Sequence, residues 1–121
     1  MNSTLELLNK AQDLIREPAN WFQGSYAADQ NSKVVDTYSD QACKFCTYGA
    51  LARAWNDPDT VYTNQVSSYA HRYVTQAARL LDAEILGPAE FNDLKSHTEV
   101  MAMFDKAKEL AANDIPTLPA H

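Results

Sequence analysis

The chain has 121 residues, 45% of them hydrophobic and 21% charged, the composition of one soluble globular domain with a single core. A formal charge of −6, with no cluster of lysines or arginines, argues against a phosphate-binding surface, so nucleic acid is not an expected partner. No stretch approaches the ~20 apolar residues that span a bilayer, and the opening MNSTLELLNKAQDLIR lacks the basic-then-apolar order of a secretory leader. The expectation is a cytoplasmic protein without membrane contact, whose two cysteines are free thiols.

Proline is costly inside a helix, and all five prolines fall where the apolar pattern lapses. Pro18, Pro58 and Pro88 separate four segments, and Pro116 and Pro119 mark a non-helical tail over residues 113–121. In the first segment Ser3 and Glu6 form a capping-box pattern, and Leu5, Leu8, Ala11, Leu14 and Ile15 recur at helical spacing. This predicts a helix over residues 4–16.

Residues 17–38 carry no helical period, and so long an irregular stretch is uncommon in a compact domain. They read either as a functional loop or as a short hairpin, with WFQGSYA and KVVDTY pairing around DQNS and Trp21, Phe22 and Tyr26 pinning it to the helices.

The second helix is expected over residues 40–55, capped by Thr37 or Ser39. Ala42, Cys43, Phe45, Cys46, Gly49, Ala50, Leu51, Ala52, Ala54 and Trp55 leave it little polar face, which marks it as the central, buried helix with its sulfurs hidden. Asp59 is the expected cap of a third helix reaching residue 83, its inner face traced by Val61, Val66, Tyr69, Tyr73, Ala77, Leu80 and Leu81. Gly87 and Pro88 read as stop signals. Ser96 and Glu99 form a second capping box, opening a last helix through Val100, Met101, Phe104, Ala107, Leu110 and Ala111. The fold class is therefore all-α: one domain over residues 1–121, ordered from about 4 to 112, built as a bundle of four main helices with a long anchored loop or short hairpin between the first two.

Three motifs follow in order: W-x-Q-G (Trp21, Gln23, Gly24), A-x-x-F-C-x-x-G-A-L (Ala42, Phe45, Cys46, Gly49, Ala50, Leu51), and F-N-D (Phe91, Asn92, Asp93) before T-E-V (Thr98, Glu99, Val100). In order and spacing they resemble a family of small bacterial and phage proteins, the domain of unknown function 6197, over nearly the whole chain. Two positions depart from its pattern: Ser32 stands where a turn glycine is expected, and Phe45 where tryptophan is common. The resemblance implies a helical fold and marks positions, but implies no reaction.

Several of those positions carry chemistry. Cys43 and Cys46 are three apart, but zinc needs about four ligands, and His71 and His97 lie on different predicted helices without finger spacing. A redox pair needs a βαβ context that is missing here. Packing is the favoured account: buried cysteines act as small apolar groups, and Gly49 makes CxxGAL a flat face on which a neighbouring helix or the Trp21 loop can lie.

The reservation is nucleophilic: Cys46, His97 and Asp93 have the residue types of a thiol–imidazole–carboxylate relay. Asn92 and Asp93 would otherwise order the loop before the last helix, and Trp21 and Gln23 would anchor theirs. Tyr62, Tyr69 and Tyr73 read as core with hydroxyls at the rim, or, if exposed, as an interface stripe. No recognised catalytic, metal or cofactor motif occurs.

The leading expectation is a non-catalytic binding or accessory protein whose partner is another protein or a second copy of itself, such as a phage or mobile-element inhibitor of a host protein. The alternative is a small enzyme or ligand-binding protein with a pocket near Cys46, Asn92, Asp93 and His97. Candidate contact residues for either are Trp21, Gln23, Cys46, Asn92, Asp93 and His97.

Overall fold

A computed structural model describes residues 3–114; of the expected non-helical tail over residues 113–121, the first two residues continue the last helix and the rest lies outside the described residues. The order is α1 (Ser3–Leu14), a 3-10 turn (Pro18–Asn20), β1 (Ala27–Ala28), β2 (Lys44–Phe45), α2 (Thr47–Trp55), α3 (Gln65–Leu81), α4 (Pro88–Leu94) and α5 (His97–Asp114). The chain is mostly helical, but the described residues hold five helices and a two-stranded sheet rather than a four-helix bundle.

Thr4, Leu7, Leu8, Ala11 and Gln12, with Ile15 in the turn that follows, fall three or four apart, so α1 and its end present one continuous buried stripe. That stripe meets α2, α3 and α5 at once, and α3 packs along α5. The segment over residues 40–55 is thus not the central helix; α1 and α3, which pack on each other and on both α2 and α5, hold the centre. Phe104, Met103, Val100, Val74, Ala77 and Leu51 complete the core around it. Gln12 is buried there too, and donates from Nε2 to the Met101 carbonyl (3.2 Å) and to Asp105 Oδ1 (2.9 Å).

The second helix begins seven residues later than the pattern predicts. Residues 36–42 are spent on side-chain turns: Asp36 Oδ1 accepts from Tyr38 N, and Ser39 Oγ from Gln41 N. Lys44 and Phe45 then pair antiparallel with Ala28 and Ala27. These bonds offer the backbone an alternative to the helix, and tertiary pairing overrides the apolar composition. In consequence Cys43 lies exposed, and only Cys46 is buried.

The third helix also starts late. Asp57 organises a turn by accepting from Asp59 N and Thr60 Oγ1, and Asn64, not Asp59, caps α3 by accepting from Val66 N at 2.8 Å. Pro88 opens α4 instead of ending a helix, because a first-turn residue needs no N–H. The capping box before α5 forms reciprocally, with Ser96 N donating to Glu99 Oε1 (3.1 Å) and Glu99 N to Ser96 Oγ (3.2 Å).

The stretch over residues 17–46 makes an irregular layer against this helical body. The expected hairpin around DQNS exists in part: Asp29 N donates to the Lys33 carbonyl, Val35 N to the Ala27 carbonyl, and Ala28 bridges Val34. Its first arm, however, pairs chiefly with β2. Ser32 takes a left-handed φ of 64°, the conformation a turn glycine would adopt without strain. Its Oγ accepts from Lys44 Nζ at 2.7 Å.

Candidate functional site

Four of the six candidate residues meet at one knot. Asn92 is fully buried on α4, and its Oδ1 accepts from Trp21 Nε1, Thr47 N and Thr47 Oγ1, each at 2.9 Å. Its Nδ2 donates to the Phe22 carbonyl at 2.9 Å. Gln23 Nε2 donates to the carbonyls of Asn92, Asp93 and Lys95, which end α4 and have no later turn to bond. Asp93 Oδ1 accepts from Gly24 N at 3.0 Å, where the chain turns with a φ of +93° that favours glycine. Thus W-x-Q-G and F-N-D, 69–71 residues apart, are two halves of a single hydrogen-bonded clasp.

His97 lies beside the clasp without joining Cys46. Its ring meets Trp21 edge-on with centroids 5.7 Å apart, and Nε2 is 2.7 Å from the Ile15 carbonyl oxygen. A carbonyl only accepts, so the proton sits on Nε2 and that nitrogen cannot act as a base. Cys46 caps α2, its sulfur accepting from Gly49 N at 3.4 Å. Burial pushes its thiol pKa up, with the Gly49 and Tyr48 amides pulling the other way, so it is a thiol rather than a thiolate near neutrality. No hydrogen bond among the described residues joins Cys46 to His97 or His97 to Asp93. Among the described residues no three His, Cys, Asp or Glu side chains converge as metal ligands do.

Gly49 explains why Cys46 is buried. A Cβ on it would overlap the Tyr26 carbonyl oxygen, so the loop backbone lies flat on the start of α2. Cys46 N donates to that same carbonyl at 3.2 Å.

What the clasp does next is open a cleft. Gly24 and Gln23 draw the first hairpin arm towards α4, while Arg53 Nη1 on α2 takes the second by donating to the carbonyls of Thr37 (2.8 Å) and Ser39 (2.9 Å). Between the splayed arms lies a space of ≈ 430 Å³, with Ser25 and Tyr26 on one wall, Asp36 and Thr37 on the other, and Cys46, Tyr48 and Asp93 also lining it. Asn92 and His97 are absent from its lining.

Aromatic rings border the cleft. Tyr26 and Tyr48 have centroids 6.4 Å apart, Tyr48 stacks on His71 at 5.7 Å, and His71 meets Tyr62 at 5.7 Å. Tyr62 is 67% exposed and Tyr26 50%, with Val34 exposed alongside. Desolvation first, then neighbouring hydroxyls, raises the pKa of Tyr26, Tyr38 and Tyr48, so they stay neutral donors.

The grouping differs from the one expected of the tyrosines. Tyr62 precedes α3, Tyr69 is half-buried and Tyr73 is in the core, so the expected single-helix tyrosine stripe is divided three ways. Tyr26, Tyr48, Asp36 and Thr37 come together only because the hairpin folds back on α2; the one sequence signal was the density of tyrosine around GSYAA and TYGAL.

Residues 1–110 match a family model described as Family of unknown function (DUF6197), and the chain belongs to that family. No curated protein and no solved structure matches it. Among the described residues no helix is long and apolar enough to cross a membrane.

Proposed function

We propose that this member of the family acts by non-catalytic binding of another protein, with the cleft between the splayed arms and its tyrosine rim as the contact face. One observation carries the reading. Exposed Tyr26 and Val34 line a concave site with exposed Tyr62 beside Tyr26, while the Cys46 thiol that lines it stays protonated and His97 lies outside it. Tyrosine is enriched at interface hot spots because it supplies large, rigid contact area with a hydroxyl to satisfy. The raised thiol pKa of Cys46 and the Ile15 bond of His97 weigh against an enzyme.

The test is affinity capture from a native extract, comparing the natural chain with a Tyr26→Ala/Tyr62→Ala variant whose melting curve is unchanged. A stoichiometric partner, or a second copy of the chain, should be retained by the first and lost from the second. Equal retention by both, or a monomer that captures nothing, would overturn the reading.

A small-ligand site is the second reading. It is favoured by the cleft's volume, which falls within the range of ligand pockets, and by Cys46 and Asp93 both lining it. A compound-induced rise in melting temperature that Tyr48→Ala abolishes would support it over the first.

A further inference from the structure

The chemistry of the cleft specifies what kind of segment enters it, and this step rests on the cleft being the contact face. We propose that the cleft receives an extended segment of a partner protein and seats one arginine side chain between the tyrosine rings and the two aspartates. Two independent features lead there.

The first is backbone geometry. In the hairpin, Asp29 pairs with Lys33 and Ala27 with Val35, so the next rung of the ladder would join Ser25 to Thr37. That rung is broken, because Arg53 holds the Thr37 carbonyl from outside. Among the described residues no hydrogen bond reaches Ser25 N, Ser25 O or Thr37 N, and both residues line the cleft. A β-ladder interrupted in this way presents main-chain donors and acceptors to an added extended chain, as in recognition by strand addition.

The second feature is charge. Asp36 and Asp93 both line the cleft, and no lysine, arginine or histidine does. Each carboxylate has Oδ1 tied to a backbone amide, of Tyr38 and of Gly24 respectively, and Oδ2 without a hydrogen bond among the described residues. Tyr26 and Tyr48 line the cleft with them, their rings tilted to each other with centroids 6.4 Å apart. A guanidinium suits this set better than an ammonium: it is planar, stacks on aromatic rings and pairs with carboxylates through a fork of N–H donors.

The experiment uses the full chain and an array of short extended peptides carrying arginine, lysine, citrulline or glutamate at a central position, with randomised flanks, followed by fluorescence polarisation. Arginine peptides should bind at least about tenfold more tightly than their citrulline counterparts, citrulline being the neutral isostere. Asp36→Asn keeps the turn-forming oxygen and should reduce that ratio to about twofold without moving the melting temperature. Raising salt should weaken the arginine peptides and leave the citrulline ones unchanged.

Peptides selected without a basic residue, yet lost on Tyr26→Ala, would overturn the arginine assignment and leave the protein-binding reading standing. Arginine and citrulline peptides binding equally would overturn it too. Failure of every peptide, while the captured partner still depends on Tyr26 and Tyr62, would overturn the extended arginine segment and leave the protein-binding reading standing; loss of that dependence would remove both readings.

Discussion

Helices α1, α3 and α5 cohere through apolar side chains at helical spacing, whereas the layer over residues 17–46, together with α4, coheres through polar side chains that bond backbone. The helical body satisfies its own main chain internally, so its side chains are free to pack. The layer has almost no regular ladder, so Asn92, Gln23, Asp93 and Arg53 supply the partners that its amides and carbonyls lack. What the contrast teaches is where tolerance lies. A hydrophobic core accepts other apolar residues of similar volume, but a buried amide with several partners accepts almost nothing else.

The hardest way to break the layer is at that amide. Asn92→Ala strands the indole of Trp21, the amide and hydroxyl of Thr47 and the carbonyl of Phe22, and should cost about 4 kcal/mol in urea unfolding. Leu8→Ala, in the centre of the helical body, should cost about 3 kcal/mol. If the polar substitution proves milder than 1 kcal/mol, the clasp is not what holds the layer. Trp21→Phe isolates a single bond of the set and should cost about 1 kcal/mol.

Gly49→Ala attacks the seam between the two regions. The added methyl meets the Tyr26 carbonyl, so the loop must lift, at a cost of about 3 kcal/mol despite the better helix propensity of alanine. A stabilised variant would mean that the loop does not rest on α2.

Arg53→Ala releases only the second arm. It should cost about 1–2 kcal/mol and speed amide exchange near residues 37–42 while leaving α5 protected.

His71 gives the seam a pH dependence. Burial lowers its pKa below the ordinary 6.5, with the Ser67 carbonyl bond opposing part of the shift. Below that value the unfolded chain binds a proton that the folded chain resists, so the unfolded state holds more protons there. Stability is therefore complete above pH 6.5 and declines as the pH falls towards the folded pKa. Urea midpoints in mild acid should drop more for the natural chain than for His71→Gln; an equal drop would assign the effect elsewhere.

The smallest effect is expected at the hairpin tip. Ser32→Gly removes the strain of a positive φ and also the Lys44 contact, for a net gain of about 0.5 kcal/mol.

By itself the sequence determined the helical character of the chain, the Leu8, Ala11 and Ile15 part of the first helix's buried stripe, the Ser96–Glu99 cap, and the close approach at Gly49. All of these are local in chain or set by one residue's size, so spacing and propensity carry them. Only the tertiary structure decided that residues 40–46 would be turn and strand, that Cys43 would face water, that Pro88 would begin a helix, and that α1 and α3 would hold the centre. It also decided the site. Trp21, Gln23, Asn92 and Asp93 were singled out for their chemistry, yet Gln23, Asn92 and Asp93 bond backbone, and Trp21 the Asn92 side chain, about 70 residues away. The cleft lies between the arm those bonds hold and the arm Arg53 holds. Hydrogen bonds over that span obey no period that a one-dimensional pattern can carry, because their partners are chosen by the packing of everything between.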